Sequence, residues 1–296
     1  MDINDSAQMR SELGIKINDK LIQLFIRYRN VFAKDLSELG KTNLHYHRIA
    51  TGDAAPVRSA PYRQTPELRK ETEKQIQQMI ENNSIEPSTS QWSSPIVLVA
   101  KKTKDMDGNK QYRFAIDYRK LNKVTVPTTF PIPRIDDVFD TVADSKASIF
   151  TVLDLTSGFL QTPLDPQTKH KTAFATHQGV YQFKCLSFGL MNAPMPMAYQ
   201  MLMTKVLKEL NWKIALVYID IILIFSNNFE EQLKHLELVF DKLKQANLTL
   251  NPSKCHFAKE EVNYLGHILS KSGIQVNPEK ISAVSTFPVP KNVKQI

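Results

Sequence analysis

Two apolar stretches stand out along the chain, and each carries one carboxylate. Val217 to Ser226 is a run of β-favouring residues with Asp220 in its middle, and Ile149 to Leu155 is a similar run in which Asp154 stands near the end. A charge within such a run needs a partner or a metal. The first stretch predicts two short strands folded into a hairpin with Ile219-Asp220-Ile221 at the tip. Its alternative is a core strand with one awkward Asp. The second stretch predicts a strand that delivers Asp154 to its end. The remaining pattern fills in around them. Leu21, Ile22, Leu24, Phe25 and Tyr28 recur at helical spacing, and residues 40–61 are polar and turn-forming, an extended arm. Thr65-Pro66-Glu67 starts a helix with Leu68, Ile76, Met79 and Ile80 on one face and Asn82-Asn83 at its stop.

Pro95 to Lys102 predicts a buried strand emerging into basic residues, and Asp107-Gly108 a hairpin turn. The return strand, Tyr112 to Asp117, alternates its faces. Residues 127–133 form a loop, followed by a helix leading into the Asp154 strand. After it, Ser157-Gly158-Phe159 turns the chain away, with Gly158 allowing close approach to a ligand. Gly179 to Leu186 is a hairpin arm, and Tyr199 to Leu210 a helix. Asn228 and Glu231 start another helix, with Leu233, Leu236, Phe240 and Leu243 as its stripe. Strands are predicted near Leu248 to Leu250 and at Tyr264 to Leu269. The order gives an α+β layer, an antiparallel sheet with helices on one face.

Composition changes this picture in one respect. The chain of 296 residues is 42% hydrophobic and can bury a large core, but it carries a net charge of +8. That charge favours a polyanionic partner such as nucleic acid, nucleotides or an anionic membrane; mild basicity is also common in solvated proteins. The two cysteines, Cys185 and Cys255, lack paired spacing and favour a reducing compartment. Met1 to Lys20 is too polar for a signal peptide, and Ile214 to Phe225 is too short to cross a bilayer, so the expectation is an intracellular protein, cytoplasmic or nuclear, with no membrane association.

Two strands that each present a carboxylate suggest a divalent cation with hard oxygen ligands, and Mg²⁺ binds in this way with substrate phosphates completing the shell. Lys101 and Arg113, projecting from paired strands, suit a triphosphate or a nucleic-acid backbone, and equally a solvated basic face. Cys255, His256 and His267 lack a fourth ligand for zinc. His45 and His47 alternate and share one strand face, read as an exposed one.

Taken together, these segments resemble the reverse transcriptase (fingers and palm) of Gypsy-type LTR retrotransposon Pol polyproteins, from about residue 45 onward. The motifs occur in order: Trp92 to Pro95, Arg113 to Asn122, Pro131 to Asp137, Leu153 to Gly158, Lys171 to Phe174, Phe188 to Pro194 and Tyr264 to His267. The resemblance implies a right-hand polymerase that extends a DNA or tRNA primer on RNA or DNA template with deoxynucleoside triphosphates. Two Mg²⁺ ions, with Mn²⁺ as a substitute, would be held by Asp154 and Asp220. It further implies Lys101, Arg113, Phe159 and Phe188 as nucleotide contacts, with Phe159 screening the ribose 2′-hydroxyl. Tyr264, Leu265, Gly266 and His267 match the loop that grips the primer, and Lys254 would donate a proton to the leaving pyrophosphate.

The implied organisation is a lead-in and extended arm at 1–60, fingers with part of the palm at 61–145, and palm with an interleaved fingers segment at 146–270. Residues 271–296 would begin a truncated thumb or connection, so that the thumb is largely missing and no RNase H or integrase follows. Three departures stand out. Ile221 occupies the second Asp of the family's Tyr-x-Asp-Asp hairpin, Ser187 stands where the family has Pro, and Met195-Pro196 is a two-residue insertion. Loss of one anion beside two dications costs on the order of a few kcal/mol of transition-state stabilisation. The expectation is therefore an impaired RNA-directed DNA polymerase or, alternatively, a non-catalytic nucleic-acid-binding remnant of a retroelement.

Overall fold

The computed structural model describes residues 19–104, 110–127, 130–190 and 195–278. The Asp107-Gly108 turn, the Met191 to Pro194 segment of the Phe188 motif, and the 279–296 part of the expected thumb lie outside the described residues.

The helices in chain order are α1 (Asp19–Arg27), α2 (Pro66–Glu81), α3 (Arg119–Val124), α4 (Ile135–Asp144), α5 (Met195–Val206) and α6 (Phe229–Gln245). The first six strands are β1 (Ile85–Pro87), β2 (Ile96–Lys104), β3 (Lys110–Ile116), β4 (Ile149–Asp154), β5 (Phe174–Thr176) and β6 (Gly179–Phe183). The last six are β7 (Ala215–Tyr218), β8 (Ile221–Ser226), β9 (His256–Lys259), β10 (Glu261–Tyr264), β11 (His267–Ser270) and β12 (Gly273–Val276).

A four-stranded antiparallel sheet, in the order β7-β8-β4-β9, forms the centre. Its strands read as continuous apolar runs because both faces are covered. Leu153, Val217, Ile222 and Ile224 pack with α1, α5 and α6 on one side. Phe150, Val152, Leu216, Leu223 and Phe225 pack on the other against α4 and the three-stranded sheet β10-β11-β12. Side chains alternate along a strand, so only an uninterrupted apolar sequence fills both layers. The helix starts follow local chemistry. Thr65 caps α2, its hydroxyl accepting from Leu68 N, and Asn228 caps α6, accepting from Glu231 N.

A second core lies beside the sheet. Ile76, Ile85, Trp92, Ile96, Ile116, Tyr118, Phe174 and Phe183 pack together beneath the two-stranded ribbon β2-β3 and the small sheet β1-β6-β5. The extended arm is held by backbone pairing: His47 N donates to Pro163 O (2.8 Å), and Asp165 N to His47 O (2.9 Å).

Three readings need correction. His45 and His47 do not sit on an exposed face. His47 is 5% exposed and the Nε2 atoms of both are buried, while Leu44 and Tyr46 point outward, because the arm turns its histidines onto the body. Leu248 to Leu250 makes isolated bridges to Phe32 and Leu155 rather than a strand. Tyr264 to Leu269 is not one strand: Leu265 and Gly266 have φ of +49° and +78°, and this tight turn joins β10 to β11. The edge strand β9 lacked a hydrophobic signature, since its sequence is His-Phe-Ala-Lys with one buried residue, Phe257.

Candidate active site

β4 and β8 pair so that Asp154 stands opposite Ile221, at the same end of the sheet as the turn that carries Asp220. That turn spans only Ile219 and Asp220, between Tyr218 of β7 and its partner Ile221 of β8, as the hairpin reading anticipates. Ile219 takes a left-handed conformation (φ +60°), unusual for a β-branched residue. Gln200, on α5 and 1% exposed, holds it there. Its Oε1 accepts from Ile219 N (2.7 Å) and its Nε2 donates to Val217 O (3.0 Å). Sequence reading missed Gln200, since a lone glutamine on a helix carries no distinguishing pattern.

The two carboxylates differ in surroundings. The Asp154 side chain is 19% exposed, whereas Asp220 is on the surface. Burial is the largest influence on Asp154 and raises its pKa; the ammonium of Lys254, with Nζ 3.4 Å from Oδ1, offsets part of this, and the charge of Asp220 adds to the rise. The residue opposite Asp154 is aliphatic. Ile221 packs against the α4-side core with Tyr218 and Leu265 beside it. Among the described residues, no group of three or more His, Cys, Asp or Glu gathers as a metal cluster, which also leaves Cys255, His256 and His267 without a zinc site. Asp154 and Asp220, at one sheet end, carry hard oxygen donors of the kind that Mg²⁺ takes, and a bound ion would need phosphate or water to complete its shell.

The four residues matched to nucleotide contacts lie together. Lys101, Arg113, Phe159 and Phe188 all line one cavity of about 750 Å³, whose far wall includes Gln75, Gln78 and Asn82 of the α2 end. The Arg113 guanidinium lies over the Phe188 ring (5.9 Å), and Phe188 packs on Phe159 with centroids 4.1 Å apart. Neither Lys101 nor Arg113 has a carboxylate partner among the described residues. Gly158 does not serve the approach of a ligand: a Cβ there would stand 2.5 Å from Tyr199 Cζ and Oη, so the missing side chain makes room for that ring.

At the β10–β11 turn, Leu265, Gly266 and His267 are partly exposed, and the His267 ring packs on Phe139 (4.6 Å). Tyr264 faces inward at 1% exposure, so its ring anchors the turn within the core.

A family model described as "Reverse transcriptase (RNA-dependent DNA polymerase)" matches residues 99–269, which include Asp154, Asp220, Lys101, Arg113, Phe159 and Phe188. The chain belongs to the reverse transcriptase family. It is 40% identical over 295 residues to the retrovirus-related Pol polyprotein from transposon 297 of Drosophila melanogaster, covering 99% of this chain and 27% of that protein. The corresponding protein from transposon gypsy of the same organism is 37% identical over 295 residues, covering 100% of this chain and 28% of the relative. The chain thus spans about a quarter of the length of these curated relatives. A foamy viral protease-reverse transcriptase solved in complex with RNA/DNA hybrid has the same fold, with a TM-score of 0.80 at 22% identity over 99% of this chain and 38% of that one. No helix among the described residues of this reverse transcriptase domain is long and apolar enough to cross a membrane.

Proposed function

We propose that this reverse transcriptase domain performs templated nucleotidyl transfer, adding deoxynucleotides to a primer 3′-hydroxyl on RNA or DNA template, with Asp154 and Asp220 as metal-holding carboxylates. In this reading residues 61–145 are fingers with part of the palm, and 146–270 palm with an interleaved fingers segment. The observation that carries the proposal is that two carboxylates stand at one end of the sheet, close enough for the charge of Asp220 to act on Asp154, while Lys101 and Arg113, with no carboxylate partner among the described residues, line a cavity together with Phe159, five residues beyond Asp154. Bound Mg²⁺, two ions or Mn²⁺ in its place, would lower the pKa of the primer hydroxyl and neutralise phosphate charge.

The chain's own residues do the rest. Lys101 and Arg113 bind the triphosphate, with Arg113 poised by its stacking on Phe188. The Phe159 ring bounds the sugar edge and excludes a 2′-hydroxyl. Lys254, already paired with Asp154, is the proton donor to departing pyrophosphate. Leu265, Gly266 and His267 contact the primer strand, with Tyr264 holding their turn. The net charge of +8 favours binding to the nucleic-acid backbone.

A second reading, a nucleic-acid-binding remnant without chemistry, is favoured by one observation, the aliphatic Ile221 opposite Asp154. Primer extension with Mg²⁺ and Mn²⁺ separates the two. The expected result is slow extension by the chain, faster by about tenfold or more in Ile221→Asp, since each ~1.4 kcal/mol of transition-state stabilisation is tenfold in rate. It should be lost in Asp154→Asn. Extension equal in Asp154→Asn and the parent would overturn the assignment of that carboxylate. Salt-dependent primer–template binding with no extension by any variant leaves the remnant reading.

A further inference from the structure

The Lys254 side chain is long, flexible and 62% exposed, so its place beside Asp154 needs a support of its own. The backbone shows where that support lies. Two segments pair in succession along β4 and its continuation: His256 stands opposite Val152, and Leu250 opposite Leu155. The chain takes six steps from Leu250 to His256 where β4 takes three, so residues 252–255 loop out beside the Asp154 end of the strand. Both ends of this excursion are pinned. Downstream, the Cys255 thiol accepts from Asp154 N (3.5 Å). Upstream, Asn251 N donates to Asp154 O (2.9 Å) and Thr156 N to Thr249 O (3.1 Å). The Gln161 amide, 0% exposed, strengthens that upstream end by donating to Thr156 O and Thr249 O and accepting from Thr249 N.

The excursion itself is a single 3₁₀ turn, Pro252–Lys254, and Asn251 caps it. The Asn251 Oδ1 accepts from Ser253 N (3.2 Å) and from Ser253 Oγ (2.7 Å), while its carbonyl accepts from Lys254 N (3.1 Å). Asn followed by Pro is a sequence suited to this turn start, the amide accepting from an orphan N–H and the ring presetting the next φ. One residue thus bonds the main chain of Asp154 and closes the turn that presents Lys254.

We infer that Asn251 is a positioning residue: its side chain, capping the Pro252–Lys254 turn, holds the Lys254 ammonium beside Asp154. The two partners of that ion pair are restrained unequally. Asp154 is fixed by the pairing of β4 with β8 along the whole strand, so loss of the cap leaves the carboxylate where it is. Lys254 rides on the looped-out turn, and without the cap the turn keeps its backbone bonds but loses the side-chain restraint on its first residues. The ammonium then spends less time on Asp154. The role in catalysis rests on the reading of Lys254 as proton donor; the positioning itself does not.

The test is the rate at which the N-hydroxysuccinimide ester of acetic acid modifies Lys254 in the full chain without metal, read by mass spectrometry. Exposed Lys259 on β9 is the internal reference, and Asp154→Asn the reference for a broken pair. The expected result for Asn251→Ala is a rate at Lys254 about two- to fivefold above the parent's, the range an exposed ion pair supports. It should approach that of Asp154→Asn, with Lys259 unchanged, and Asn251→Ser, which also caps, should restore the parent rate. An unchanged rate at Lys254 in Asn251→Ala overturns the inference, as does a failure of Ser to rescue. A parallel rise at Lys259 means general loosening and overturns it too, and so does a rate in Asp154→Asn equal to the parent's. Primer extension then reads the catalytic consequence. Asn251→Ala is expected to lower kcat about fivefold or more at unchanged nucleotide KM, with no further loss when added to Lys254→Ala. A further loss in that double variant assigns Asn251 a different role and overturns the inference. If Lys254→Ala extends as fast as the parent, or the parent does not extend, the reading of Lys254 or of the chemistry falls, and the acetylation rates alone decide the positioning.

Discussion

The central sheet and the β2–β3 ribbon both carry charged residues toward the site, but they hold them differently. The sheet is packed on both faces: Leu153, Ile222, Leu223 and Ile224 are each 0% exposed. Its carboxylates come from strand ends fixed by cross-strand register and by the Gln200 amide. The ribbon has two strands and one buried side, with Val99 50% exposed and Arg113, its pairing partner, on the surface. Groups that must stay fixed sit on the element with least freedom. In the proposed function, the groups that would follow a moving, highly charged substrate sit on an element with one exposed side.

Truncation probes this contrast most strongly. Leu223→Ala, in the sheet, is expected to cost about 2–5 kcal/mol in urea unfolding, and Val99→Ala, in the ribbon, less than about 0.5 kcal/mol. Equal costs would break the comparison.

Acid sharpens it, because the arm, paired with residues 163–165, hides His47. Burial lowers its pKa from 6.5 to about 4, with the neighbouring His45 contributing, so the unfolded chain takes up a proton before the folded one does. Stability is therefore fully present above pH 6.5 and falls as the pH drops to about 4, by roughly 3 kcal/mol from this residue. His45, its pKa also lowered chiefly by burial, acts in the same direction. Denaturation curves of the parent and His47→Gln across that range should converge at the acid end. Parallel curves would show that His47 is not the cause.

Gln200→Leu leaves Ile219 N and Val217 O unpaired and is expected to lower primer-extension kcat by about tenfold or more, and to weaken Mn²⁺ binding measured by electron paramagnetic resonance. Unchanged metal binding would mean that the turn holds its shape without the amide. The smallest expected effect is that of Arg113→Ala: a roughly tenfold rise in nucleotide KM with the melting temperature unmoved, since the side chain is exposed and its partner is the Phe188 ring. A large loss of stability there would show that the ribbon is held more firmly than its exposure implies.

Much of this was legible in the residues. Uninterrupted apolar runs broken by one Asp announced β4 and the β7–β8 hairpin, because a strand buried on both faces has no polar alternation to obscure it. Caps at Thr65 and Asn228 marked two helices through local hydrogen bonding alone. Elements built from long-range contacts left weaker traces. β9 joins the sheet through its pairing with β4, although only Phe257 of its four residues is buried. The turn at Leu265-Gly266 needs two left-handed residues, a requirement that Leu265 does not advertise.

The sequence by itself determined the family, the two strand-end carboxylates and the presence of an aliphatic Ile221 directly after Asp220, since these depend on residue identity and order. Tertiary structure alone decided that Gln200 secures the Asp220 turn, that Gly158 yields space to Tyr199, and that the arm buries His47. Each of those contacts joins residues far apart in the chain, with partners set by how the layers pack and unmarked by any local pattern.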